Sequence, residues 1–312
     1  MNYSLAQNSA VGSRQSNEDR IGYSERDNAV LMVLADGLGG YEGGELAAEA
    51  LVESVIDAFE KIKEPKILDP WAFLVLSIAH GHSMIHRRAC AYDIDPDLPR
   101  TTCVVCLVQD GYAYWGHVGD SRLYHFRGKQ LQARTIDHST SEQFRKDGLI
   151  SEEDMRKRGW QGQLMKCVGG RIRPLVTLGR ETRLQTDDLL LLCSDGIWKA
   201  FSNNELNKIL DEEQLDDSID EMLTRAERKM KRECDNISAI VLRWEDQPTT
   251  ARPLEALTSK SVDQQELLRV AEKRKKQKKN APSKRRGVNS NEDIEAALAE
   301  LESFVEDIER IL

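Results

Sequence analysis

Short apolar runs that close on an aspartate beside small residues constrain this chain more than any other feature. The four acidic stations are VLADGLGG (Asp36), GHVGDSRLY (Asp120), LLLLCSDGIW (Asp195) and CDNISAIVL (Asp235), and three of them end such a run. Runs of this length and β-branched content read as strands, so the carboxylates sit at strand ends. Carboxylates crowded there repel one another unless cations neutralise them, and their oxygens are hard ligands suited to Mg²⁺ or Mn²⁺. A strand-end Asp-Gly also offers its backbone carbonyl, because glycine lets the chain approach closely. One Asp-Gly is ordinarily only a turn. Four stations between residues 36 and 235, joined by Arg14, Asn17, Glu18 and Asp19, are not explained as turns alone.

The apolar runs at 29–35, 103–108, 112–118, 121–126, 189–194 and 237–242 predict strands. Two stretches with helical spacing lie between them, 44–62 and 70–91, the second opening at Asp69-Pro70 as a cap and first-turn proline. Further helices are expected at 139–147, 151–158, 203–211 and 215–233. This order of elements predicts an α+β sandwich, with two sheets face to face and helices on their outer faces. The polar segment 139–178 lies between strand runs and has the character of an insertion.

Composition excludes several classes. No apolar stretch approaches the ~20 residues needed to cross a bilayer. The opening MNYSLAQNSAVGSRQ lacks the basic start and apolar core of a signal peptide, so a cytoplasmic protein is expected. Six cysteines fit that compartment as reduced thiols. Cys103 and Cys106 form a C-x-x-C that zinc or redox chemistry would also use, but they lie in a strand run, where residues three apart point to opposite faces. Core positions are expected for both. A net charge of −9 argues against general nucleic-acid binding by the main body.

The text changes after Trp244. Residues 246–290 read as a polar, then basic, linker. In 291–312 an acidic amphipathic helix is expected, with Ile294, Leu298, Leu301, Val305, Ile308 and Leu312 on one stripe behind a Ser290/Asn291 cap. Its apolar face suits docking onto a second copy, the main domain or a partner; the basic tract reads equally as a solvated face.

The ordered motifs GSRQSNEDR (12–20), ADGLGGYEGGELAA (35–48), TTCVVCLV (101–108), GHVGDSRLYHF (116–126), DHS (137–139), LMKCVGG (164–170), CSDGIW (193–198) and DNISAIVL (235–242) resemble the metal-dependent protein phosphatases of type 2C, in their bacterial single-domain form. The resemblance covers residues 1–245 and implies a four-layer αββα sandwich of two antiparallel sheets, with 139–178 as a flap bordering the metal centre. It implies a serine/threonine phosphatase that opposes a bacterial kinase and uses Mn²⁺ or Mg²⁺, two or three ions per chain. Asp36 would bridge two cations with help from the Gly37 carbonyl, and Asp195 and Asp235 would complete the inner shell. Asp19 and Glu18 would orient metal-bound waters or ligate through them. Asp120 would hold a third, weaker cation together with Asp195, or else merely cap its turn. Arg14 would clamp the substrate phosphate, since a guanidinium binds two phosphoryl oxygens through a planar fork.

Tyr41 departs from the pattern, standing where many bacterial relatives carry a histidine considered as the proton donor. A phenol that titrates near pH 10 is a poor acid at neutrality. His117 and His138 are expected to brace the core or loops. Two other functions stay open: a catalytically weak module that binds phosphoproteins, and a hydrolase of small phosphoesters. The intact carboxylate set argues against the first, and no nucleotide or sugar signature supports the second.

Overall fold

The computed structural model describes residues 1–38, 43–151, 163–211 and 214–246. The expected helix at 151–158 (from residue 152), Tyr41, and the linker and helix beyond residue 246 lie outside the described residues.

One sheet is built from β1 (Tyr3–Ala10), β7 (Arg122–Arg127), β8 (Gln130–Arg134), β12 (Leu189–Cys193) and β13 (Ile237–Trp244), in the order β1-β13-β12-β7-β8. The other has the order β10-β6-β5-β3-β2. Its strands are β2 (Asp19–Arg26), β3 (Ala29–Asp36), β5 (Cys103–Gln109), β6 (Tyr112–Val118) and β10 (Thr177–Leu178), with β11 (Thr182–Arg183) also on β6. Every pairing is antiparallel. A short ladder joins β4 (Arg100–Thr101) to β9 (Val168–Gly169).

Three apolar layers explain the stacking. Val30, Met32, Leu34, Val104, Cys106, Leu190, Leu192, Ile240 and Leu242 fill the space between the sheets. The opposite face of β3 and β5, with Leu31, Val33, Cys103 and Val105, packs under α1 (Gly44–Glu60) and α2 (Pro70–Ala91) through Leu51, Val55, Phe59, Leu74 and Ile78. Beyond the other sheet lie α5 (Asn203–Leu210) and α6 (Leu215–Met230), which bury Leu206, Ile209, Ile219, Met222 and Leu223 against Tyr124, Leu191 and Val241. Because β3 is covered on both faces, it reads as a continuous apolar run, not an alternating one. The four-layer expectation holds, and Cys103 and Cys106 face opposite layers as the period of two requires.

Helix ends follow local chemistry. Asp69 caps α2 by accepting from the Ala72 amide at 2.9 Å, with Pro70 in the first turn. Ser202 and Glu205 form a capping box on α5, and Ser139 caps α3 (Thr140–Lys146). No helix among the described residues is long and apolar enough to cross a membrane.

Three strands of five residues or more were not expected from the apolar pattern. β1 buries only Ala6 well and lies at a sheet edge, held by register from Tyr3 opposite Trp244 to Ala10 opposite Ile237. β2 and β8 are edge strands of equally polar character. The segment 139–178 is less of a free insertion than its polarity implies, since Val168–Gly169 pairs with β4 and Thr177–Leu178 extends the sheet beside β6.

Candidate metal centre

β3 ends at Asp36, and its register partner at the start of β2 is Asp19, so antiparallel pairing alone sets two carboxylate residues side by side. Asp19 is 2 % exposed, and neither of its carboxylate oxygens has a partner in hydrogen-bond geometry. β12 delivers Asp195 as the first residue of α4 (Asp195–Trp198), and Asp235 stands just before β13, the neighbour of β12. Asp120 follows β6 in the turn into β7. Both sheets thus present carboxylates at one end of the sandwich.

Their electrostatics show how closely they gather. Burial, then the charges of Asp19, Asp195, Asp120 and Asp235, push the Asp36 carboxyl well above the ordinary range. Asp36 keeps some solvent contact by area, yet it lies deep enough among protein atoms for desolvation to dominate. Asp19 is pushed up to about 7, chiefly by burial, with Asp195 and Asp235 adding and the Ser238 and Ser194 hydroxyls opposing. Asp120 is also pushed up to about 7, by burial first, then Asp195 and Asp137, against Lys199 and Arg122. Such mutual destabilisation of ionised groups marks a functional site more often than a structural one.

Backbone packing fixes these positions. The Gly37 amide donates to the Glu18 carbonyl at 3.1 Å, and a side chain at Gly37 would meet Gly44 O at 2.5 Å. The Asp36 amide donates to Thr102 Oγ1 at 3.0 Å, while the Thr102 amide (2.8 Å) and the Thr101 hydroxyl (2.9 Å) donate to the Asp36 carbonyl. Gly12, at φ 61°, lets the 11–18 loop touch the fourth station, where a Cβ would lie 2.0 Å from Asp235 O.

Asn236 ties that loop down. Its Nδ2 donates to Val11 O and Ser16 O at 2.9 Å each, and its Oδ1 accepts from the Glu18 amide at 2.9 Å. Asn236→Ala would remove three part-buried hydrogen bonds, each contributing about 0.5–1.5 kcal/mol. A clear fall in melting temperature, with weakened substrate binding through the loosened Arg14 loop, is the expected result of calorimetry and steady-state kinetics. Unchanged values in both would show the loop to be held elsewhere.

Cations answer two of the carboxylates. Arg14, with its side chain 56 % exposed, forks onto Asp235, Nε to Oδ1 and Nη2 to Oδ2 at 2.8 Å each. Lys199 Nζ pairs with Asp195 Oδ2 one helical turn on. Glu18 lies against the start of α1, with one carboxylate oxygen buried and unpaired. The Asp120 carbonyl accepts from Trp198 Nε1 at 2.9 Å.

The two histidines brace, as expected. The Gly119 amide donates to His138 Nδ1 at 3.0 Å, which leaves Nε2 to donate to Thr177 Oγ1 at 2.8 Å. His117 stacks on His138 at 4.6 Å and donates from Nε2 to Ile136 O. Burial and His117 push the His138 imidazole down to about 3, so it stays neutral.

The donors suit hard divalent cations: oxygen-only, anionic, and with the buried Asp19 and Glu18 oxygens unpaired. No three His, Cys, Asp or Glu side chains among the described residues close a tight ligand shell by themselves, and Arg14 and Lys199 hold oxygens of two stations. Thr102, Asn236 and Lys199 were missed from sequence. The signals were slight: a threonine pair opening a strand, an Asn after an Asp, and a Lys four residues after Asp195.

A family model described as protein phosphatase 2C matches residues 6–236. The serine/threonine phosphatase stp of Listeria monocytogenes is 27 % identical over 220 residues, covering 68 % of this chain and 85 % of that protein. The crystal structure of serine/threonine phosphatase Stp1 from Staphylococcus aureus superposes with a TM-score of 0.71 at 26 % identity, over 79 % of this chain and 96 % of that one. The catalytic domain of the phosphatase PstP, solved in complex with 2 manganese ions, gives 0.65 at 26 % identity, over 78 % and 99 %. Sheet order, carboxylate placement and these likenesses agree: the chain belongs to the protein phosphatase 2C family, the metal-dependent phosphoprotein phosphatases.

Proposed function

We propose that this protein hydrolyses phosphoserine and phosphothreonine in proteins, opposing a serine/threonine kinase, at a centre that takes Mn²⁺ or Mg²⁺. The observation that carries this reading is the convergence of Asp19, Asp36, Asp120, Asp195 and Asp235 at one end of both sheets, at a cost in electrostatic repulsion that the fold alone does not repay. Divalent cations bound there would lower the pKa of water toward neutrality, a source of hydroxide that no side chain of the set offers.

Asp36 and the Gly37 carbonyl would hold both cations, with Asp195 and Asp235 completing the set. Asp19 and Glu18 orient water from behind, a role that commonly matters 10- to 100-fold in roughly this kind of site. The Asp36 backbone is held by its strand register and by Thr101 and Thr102, so the residue is positioned before substrate arrives.

Arg14 stands at the exposed rim, its guanidinium plane already aligned on a carboxylate. A phosphate presents the same paired oxygens, so Arg14 would transfer its fork to the substrate. Neither His117 nor His138 is placed to protonate the leaving alkoxide, since both are committed to backbone or threonine oxygens. The leading test is turnover of phosphoserine and phosphothreonine peptides, set beside phosphotyrosine peptides and a small aryl phosphate, with Mn²⁺ titrated in. Faster turnover of the aryl phosphate than of any peptide would favour the small-ester reading.

Arg14→Ala removes one charged fork, about 1.5–3 kcal/mol. A KM rise of roughly 10- to 100-fold, with a smaller fall in kcat, is expected. An unchanged KM with a collapsed kcat would instead place Arg14 in the chemical step.

A further inference from the structure

We propose that the Lys199 ammonium stands in for a third cation between Asp195 and Asp120, so that the metal centre of this chain is complete with two ions. The inference rests on the phosphatase reading and replaces the alternative in which Asp120 and Asp195 share a third metal.

Lys199 follows α4 directly, one turn beyond Asp195, and its Nζ contacts Asp195 Oδ2. This is not a surface ion pair. The two side chains are 16 % and 15 % exposed, so the contact is largely shielded from water. Asp120 and then Asp235 are further negative charges that favour the ammonium, behind Asp195.

The neighbouring residues fix it there. Trp198 donates its Nε1–H to the Asp120 carbonyl at 2.9 Å, fastening the end of α4 to the Asp120 turn. Arg122 lies over the Trp198 ring at 3.8 Å and forks onto Asp137 at 2.8 and 2.6 Å. Arg122 is therefore committed to Asp137, and Arg14 meets Asp235, not Asp195. Among the described residues, Lys199 is the cation paired with Asp195.

The chemistry of the substitution is specific. Two carboxylates that share a site need a positive charge between them, and either a divalent ion or an ammonium meets that need. An ammonium donates hydrogen bonds, to water oxygen among others, but has no vacant coordination position, so it neutralises without activating water as a divalent ion does. Asp120 would then position Lys199 and the α4 turn, leaving water activation to the ions held by Asp36.

The test uses the full-length, metal-stripped protein with Mn²⁺ titrated into the millimolar range, free ion being read by electron paramagnetic resonance and heats by calorimetry. Wild type is expected to saturate at about two ions, the number typical of binuclear hydrolytic sites. Lys199→Gln and Lys199→Asp are each expected to take up about one more, weakly, as the freed Asp195 oxygen and the nearby Asp120 allow. Lys199→Arg should stay at the wild-type number, and Asp120→Asn in the Lys199→Gln background should lose the gained ion. Lys199→Gln keeps nearly the same side-chain length, so it carries the test if the aspartate variant fails to fold. A third ion in wild type would overturn the inference and leave the phosphatase reading intact. So would the wild-type stoichiometry in both variants with unchanged circular dichroism. Failure of wild type to bind Mn²⁺ at all would overturn both.

Discussion

Replacing Asp36 by asparagine is expected to lower turnover by about three orders of magnitude, roughly 4 kcal/mol in the barrier, while making the metal-free protein more stable. The two effects have one origin. The Asp36 carboxyl is held well above its ordinary pKa by burial and by four neighbouring aspartates, so ionising it in the fold is unfavourable. An amide of the same shape removes that repulsion. Its amide oxygen still accepts, but it no longer carries the charge that draws two cations together. At Asp36, Thr101 and Thr102 bond only the backbone amide and carbonyl, so the strand end is kept. Melting in chelator should therefore shift upward for Asp36→Asn, and the upward shift that Mn²⁺ gives wild type should shrink. Near-wild-type kinetics in this variant would remove Asp36 from the centre of the mechanism.

Chelation is expected to abolish turnover and to expose a pH dependence of stability that the metals otherwise hide. Asp19 and Asp120 are pushed up to about 7 in the fold, whereas carboxyls of an unfolded chain titrate near 4. Between those values the folded chain holds more protons than the unfolded one, so stability falls as pH rises, levelling once both states are ionised. Buried histidines have the opposite sign: His82 is pushed down to about 4 by burial, and His138 to about 3, which favours the fold as pH rises toward about 6.5. The carboxylates are therefore isolated above pH 6.5. The metal-free protein should melt lower at pH 8 than at pH 6.5, and Asp36→Asn should show a shallower slope. Mn²⁺ should stabilise more at pH 8, where it no longer competes with protons. A flat profile without metal would mean that the carboxylates do not strain the fold, and activity surviving strong chelation would overturn the hydrolytic mechanism.

Much of this centre was legible in the sequence because strands leave a strong signature. A run such as VLMVLAD is apolar on both faces, so its end must emerge from a covered sheet, and the residue that emerges is Asp36. The same logic placed Asp195 after LLLLC and set Cys103 and Cys106 on opposite faces. The edge strands were illegible for the complementary reason. β1 and β2 gain order from register with β13 and β3, not from an apolar pattern of their own.

The sequence by itself determined the donor chemistry, the strands that carry it and the family to which the chain belongs. Only the tertiary structure decided which charges meet. Lys199 in SDGIWKAF reads as an ordinary helix lysine until Trp198 is seen bonded to Asp120, 78 residues away in the chain. Asn236 looks like the polar end of a strand until it accepts from Glu18, 218 residues earlier. The physical reason is range. Strand formation and capping depend on neighbours a few residues apart, whereas the field at a carboxylate falls off over ångströms in space, and strand register between distant segments sets those distances.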